Sequence, residues 1–207
     1  MVEEALTAER ILEAAEEVLR RFGPAKATVV DVARALGVSH GSVYRHFPSK
    51  TALRDAVAER WLARVSKPLA EVAAEEGPAP ERLRRWFDLL IALKRSKARD
   101  EPELFATYQN LVADARDVVR THVDTLVSQV ARILTDGVEK GEFSIEDPLA
   151  SAWAVFNATV RFHKPIHASE WSDPGIDAAF EGVWSLILGG LGAREAPAKA
   201  RKKPSKK

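Results

Sequence analysis

The sequence reads as all-α, on three observations. Apolar residues recur at three- and four-residue spacing along most of the 207-residue chain, and segment after segment opens on a capping residue and closes on glycine or proline. Period-two alternation bounded by turn residues is hard to find. A chain of this length suits one or two domains with a full hydrophobic core. With 46% hydrophobic and 29% charged residues, disorder is expected only at the ends. The absence of cysteine excludes disulfides, thiol catalysis and cysteine-ligated zinc. The opening MVEEALTAER lacks the apolar centre of a signal peptide, and the longest apolar runs fall short of a bilayer, so a cytoplasmic protein with no membrane partner is expected.

The first helix is expected from 8 to 22, capped by Thr7 and carrying the stripe Ile11, Ala14, Ala15, Val18, Leu19 and Phe22 before Gly23 and Pro24 end it. Thr28 followed by Asp31 makes a capping-box-like start, after which Val29, Val32, Ala33 and Leu36 repeat at helical spacing until Gly37. Gly37, Val38 and Ser39 form a turn. One short helix follows, Pro48 breaks it, and Ser49 caps a longer helix from 50 to about 75, with a bend expected near Pro68. EEGPAP at 75–80 separates the two halves of the chain. Further helices are expected at 80–97, 101–114, 117–140, 147–164 and 175–191. The end, REAPAKARKKPSKK, holds seven basic residues and one acidic and is expected to be a disordered basic tail over 194–207.

The short helix within GVSHGSVYRHFPSK has few apolar residues. Val43 and Phe47 lie on one side of it, which turns Gly41, Ser42 and Arg45 outward with Tyr44 and His46 on the flanks. Helix, three-residue turn beginning with glycine, then short helix is the helix-turn-helix arrangement, whose second helix enters the DNA major groove. Residues 37–64 carry five basic and two acidic side chains, so a polyanion would be met locally. Taken singly, Tyr44 and His46 also fit ordinary half-buried core-edge residues, and Arg45 a solvated charge.

Residues 7–60 resemble the amino-terminal domain of the tetracycline-repressor (TetR) family, through ERILEAAEEVLRRFG, TVVDVARALGVSHGSVYRHF and the SKTAL that follows. The resemblance places His40, Gly41, Ser42 and Arg45 toward base edges, and Thr28, Tyr44, His46 and Lys50 toward phosphates. Physical chemistry agrees in part: arginine pairs with guanine through two hydrogen bonds, a tyrosine hydroxyl donates to phosphate, and Lys50 sits at a helix amino terminus that itself attracts anions.

The segments 148–162 and 179–191 are apolar around most of their circumference, so each is expected to pack on a second copy of the chain, with Trp184 and Ile187 in that contact. A fully intramolecular core is the alternative. Trp86, Leu90, Phe105, Tyr108, Gln109, Trp153 and Asn157, with His122, mix apolar walls with isolated polar groups, as small-molecule sites do. Ordinary core residues have the same composition, and the resemblance is what favours a ligand site. His163 and His167 have i, i+4 spacing, but Pro165 lies between them and no H-E-x-x-H motif accompanies them, so no metal and no cofactor are expected. LGGLG at 188–192 lacks the spacing of a phosphate-cradling loop.

The expected protein is therefore an all-α transcriptional regulator and not an enzyme. A helix-turn-helix DNA-binding domain occupies 1–60, and a helical ligand-binding and dimerisation domain occupies 61–193. Its expected partners are double-stranded DNA bearing a palindromic operator, a small-molecule effector that releases it, and a second copy as a homodimer. The rivals are a ligand-independent or architectural DNA-binding protein, and a helical enzyme or carrier.

Overall fold

The computed structural model describes residues 5–193, and among them every regular element is helical. The basic tail expected over 194–207 lies outside the described residues. Thr7 caps α1 (Ala8–Lys26) by accepting the Arg10 N–H at 3.3 Å. Gly23, at φ 74° and ψ 163°, interrupts α1 where the sequence placed its end, and one further turn follows. Thr28 and Asp31 form a full capping box at the start of α2 (Val29–Leu36), and Gly37 closes α2 in the left-handed conformation at φ 68°. Ser39 then caps α3 (His40–Tyr44), its Oγ accepting the Ser42 N–H at 3.1 Å.

Ser49 caps α4 (Lys50–Ala74), which runs on through Pro68. Then follow α5 (Ala79–Asp100), α6 (Pro102–Asp114), α7 (Arg116–Glu139) and α8 (Pro148–Ala158). The single helix expected over 147–164 is split at Thr159, whose hydroxyl donates to the Val155 and Phe156 carbonyls, both at 3.0 Å. That side-chain bond competes with the backbone ladder. The short α9 (Val160–His163) and a 3-10 turn (Pro165–Glu170) lead to α10 (Ile176–Gly190).

Two cores result. Ile11, Val18, Val32, Val43, Val57 and Trp61 belong to the first, Leu69, Leu83, Trp86, Val130, Phe156 and Trp184 to the second. Helix α4 serves both, with Leu62 in the first and Val65 in the second, and α6 sends Tyr108 and Leu111 back into the first. The amino-terminal unit therefore rests directly on the larger one. Charged side chains tie the same elements: Arg60 pairs with Glu9, Glu13 and Glu16, Arg64 with Glu16 at 2.6 Å, and Arg54 of α4 with Asp114 of α6 at 3.0 Å.

The expected subunit contact requires correction at two residues. Trp184 and Ile187 are buried in their own domain, Trp184 between Phe87, Phe180 and the Arg84 guanidinium. With these bulky side chains turned inward, the opposite side of α10 carries Leu186, 78% exposed, beside Gly182 and Gly189. On α8 the exposed strip holds Leu149, Trp153 and Asn157.

Candidate nucleic-acid interface and effector region

Val43 is fully buried against the first core and Phe47 is half-buried, which fixes how α3 is rotated. Burial of a side chain such as valine stabilises by about 1.5–3 kcal/mol, and a five-residue helix does not hold without such packing. The opposite side is presented outward: His40, Gly41, Tyr44, Arg45 and His46 are exposed, and Ser42 is intermediate. Arg45 Nη2 donates to Ser42 Oγ at 3.2 Å, and that oxygen lies 2.9 Å from Ser39 Oγ. The guanidinium is thus steered along the exposed face with its remaining donors unspent. The His40 and Tyr44 rings meet edge to face at 6.3 Å. Lys50 is exposed at the first turn of α4.

Gly41 is informative because the protein's own packing does not require it. A Cβ there would meet nothing closer than Ser39 Oγ at 3.7 Å, an ordinary contact. Glycine inside a helix costs roughly 0.5–1 kcal/mol relative to alanine, and the fold gains no packing in return at this position. Thr28 stands differently from the other residues expected at phosphates. Its hydroxyl donates to Asp31 Oδ2 at 2.6 Å and accepts the Asp31 N–H at 3.2 Å, so its one donor is already committed to the cap. That bond, first among the causes, lowers the Asp31 carboxyl below its ordinary range. The local excess of basic residues also thins in three dimensions: Arg54, Arg60 and Arg64 are turned into ion pairs, whereas no ion pair involves Arg45 or Lys50 among the described residues.

The seven residues expected to line a ligand site do not share one cavity. Trp86 and Leu90 are fully buried in the second core, and the Trp86 indole donates to Gln129 Oε1 at 3.0 Å, so its polar atom is satisfied. Phe105, Tyr108 and Gln109 lie together on α6, with Tyr108 stacked on Trp61 at 4.8 Å. Trp153 and Asn157 are exposed on α8, away from that group, because Val155 and Phe156 take the inward side of the helix.

Sequence reasoning missed the side chain that most distinguishes this region. Lys94 is 93% buried by its 7% exposure, with its ammonium 5.7 Å from the Trp61 ring centre. Burial first, and Lys97 second, lower it to about 8. The signal was legible: Leu83, Phe87, Leu90 and Lys94 follow four-three-four spacing, which puts a lysine on the core stripe of α5. His122 is held down to about 4 and His163 to about 3, by burial and then by Lys94. His163 Nε2 lies 3.3 Å from Thr159 Oγ1, whereas His167 pairs with Glu170 at 2.7 Å, so the i, i+4 histidines serve different partners. Among the described residues no group of three acidic, histidine or cysteine side chains gathers at metal-binding range.

Comparison with known families decides the class. Residues 11–57 match the amino-terminal model described as bacterial regulatory proteins, tetR family, and residues 79–184 match a tetracyclin repressor-like carboxy-terminal domain. The chain belongs to the TetR family. The family is one of helix-turn-helix transcriptional regulators, not enzymes. Among individual TetR-like proteins, the HTH-type transcriptional regulator Rv1255c of Mycobacterium tuberculosis is 33% identical over 103 residues, 50% of this chain and 49% of that protein. The chain thus spans about half the length of that relative. SrpR of Pseudomonas putida is 25% identical over 190 residues, 87% of this chain and 85% of SrpR. SmeT of Stenotrophomonas maltophilia shares the TetR fold with a TM-score of 0.65 at 18% identity, over 97% of this chain and 98% of SmeT. No helix among the described residues is long and apolar enough to cross a membrane.

Proposed function

We propose that this TetR-family chain is a cytoplasmic, homodimeric repressor that reads a palindromic operator through α3 and leaves it when a small molecule binds the helical domain. The observation that carries the reading is the outward face of α3. A helix pinned by Val43 presents Arg45 beside a glycine whose missing side chain the fold itself does not need. Arg45 supplies base discrimination, with Ser42 and His40 beside it. Lys50, Tyr44 and His46 supply phosphate contacts, and the Thr28 cap holds the α2 amino terminus in place. Homodimerisation is supported by the exposed apolar strips of α8 and α10, and the two reading heads of such a dimer would have to stand about 34 Å apart to enter successive major grooves. Ligand response is supported by the direct seating of α6 on the first core, since a shift of α6 moves α1 and α4 together. It is supported further by SmeT, described as the repressor of a multidrug efflux pump and also seen in complex with triclosan.

The test is selection of bound sequences from random duplexes, followed by titration of two variants. Lys50→Ala should weaken binding equally on all duplexes and lower the salt slope by about one. Arg45→Ala should relax preference at one position of each half-site by roughly 1–3 kcal/mol. Wild type without sequence preference at moderate salt would refute the reading.

A further inference from the structure

Lys94 is the one feature of the helical domain that the packing does not explain. A buried charge is normally paired, because leaving it unpaired disfavours the fold. Here no ion pair reaches the ammonium among the described residues, and the groups coupled to it are cationic or neutral: Lys97 on α5 and the imidazoles of His122 and His163. Its one recorded contact is the face of Trp61. Two buried imidazoles, His122 and His163, feel its charge. His122 Nε2 of α7, whose ring feels the Lys94 charge, is buried with no hydrogen-bond partner, and Gln109 Nε2 of α6 is likewise unpartnered, whereas the Tyr108 hydroxyl turns toward Arg64 and Glu16. Such a set of orphaned groups marks a place completed by something else.

We propose that the effector of this protein is a small amphipathic monocarboxylate whose carboxylate pairs with Lys94. The inference rests on the ligand-response reading above and names the chemical class of that ligand. The missing partner must be an anion, since a metal cation would be repelled by the ammonium. Both imidazoles stay neutral at pH 7, so the one buried charge is that of Lys94, which matches a monoanion and not a phosphate dianion. His122 can donate to the second carboxylate oxygen. The walls are apolar: Trp61 lies against the ammonium, and Phe156 meets the His163 ring at 4.7 Å in a tilted contact. His122 also lines a cleft of about 160 Å³ between α4 and α7, with Leu62 and Val118 on its apolar side and Glu59, Ser66 and Thr125 on its polar side; Lys94 lies behind His122 and is not part of the lining. Drug-sized sites hold roughly 300–1,000 Å³, so the acid is small.

The same geometry couples the site to DNA. Trp61 is held between Tyr108 on one side and the Lys94 ammonium near its ring, and it belongs to the core that carries α3. A carboxylate that draws the ammonium away removes one of the two contacts that fix the indole, and with it the alignment of α4 against α6.

The experiment uses the full chain at pH 7 and constant ionic strength. Thermal shift and tryptophan fluorescence are followed with acetate, butyrate, hexanoate, octanoate and benzoate, and with hexanamide and benzamide as neutral counterparts. At least one carboxylate should raise the melting temperature, and its amide should bind about 10- to 150-fold more weakly, the difference expected of a charge-assisted bond. Lys94→Met, checked for helicity by circular dichroism, should lose that preference, and Lys94→Arg should retain part of it. Failure of every carboxylate to bind, equal binding of the amide, or an undiminished preference in Lys94→Met would overturn the proposal. Operator binding separates the two readings. A carboxylate that binds through Lys94 without weakening operator affinity upholds this inference and refutes ligand-controlled release. An amide that releases the operator does the reverse.

Discussion

Lys94→Met should stabilise the protein at neutral pH and leave it no more stable than wild type in alkali. Burial lowers the ammonium from 10.5 to about 8, and each unit is worth about 1.36 kcal/mol. Keeping the charge inside therefore costs the folded state about 3 kcal/mol at pH 7, where folded and unfolded chains are both protonated. Loss of the contact with Trp61 offsets about 1 kcal/mol of the gain, leaving about 2 kcal/mol in favour of methionine. The sign with pH follows from the depressed value. Between pH 8 and 10.5 the unfolded chain holds more protons than the folded one, so wild-type stability rises through that window and its disadvantage disappears above it. Tyr108, pushed up to about 12 mainly by burial, destabilises both proteins alike above pH 10 and cancels in the difference. In urea, with a slope of about 2 kcal/mol/M, the midpoint of Lys94→Met should lie about 1 M above wild type at pH 7, and the gap should close by pH 10.5. A variant no more stable at pH 7, or a gap that does not change with pH, would refute a charged lysine in the core.

Leu186→Glu, on the exposed strip of α10, should leave the melting of the subunit nearly unchanged and yield monomers by light scattering, whereas Trp184→Glu should fail to fold because it places a carboxylate inside the second core; an intact Leu186→Glu dimer would move the interface elsewhere. Gly137→Ala should cost about 1–3 kcal/mol in urea unfolding, since its Cβ would stand 2.2 Å from the Phe143 ring and 2.8 Å from Ala79 Cβ; a neutral effect would show that α7 can shift off α5. His122 and His163, held down to about 4 and about 3, bind protons in the unfolded chain first, so stability should be complete above pH 6.5 and fall as pH drops toward 4; His163→Phe should flatten that acid limb of the melting curve.

The helix caps were legible in the sequence, whereas the split at Thr159 was not. Thr7, Thr28, Ser39 and Ser49 each cap the helix they precede, because a short hydroxyl side chain satisfies a backbone N–H a few residues ahead and needs no distant partner. Gly37 stops α2 and Gly23 interrupts α1 for an equally local reason, their positive φ. Periodicity likewise gave the rotation of α3, since Val43 and Phe47 must turn inward together and Arg45 outward. What tertiary structure alone decided is which face of a nearly all-apolar helix meets its own core. Trp184 faces Phe87 and Leu186 faces away, although both are apolar and two residues apart, because the choice depends on which neighbour fills the space beside α5. The same holds for charge. Arg60 and Arg64 belong to an ion-pair network with α1, while Lys94 is enclosed by helices whose partners came from 33 residues before it to 69 after it. Composition counts such charges equally, and only packing determines which are neutralised, which face solvent, and which are left buried without a partner.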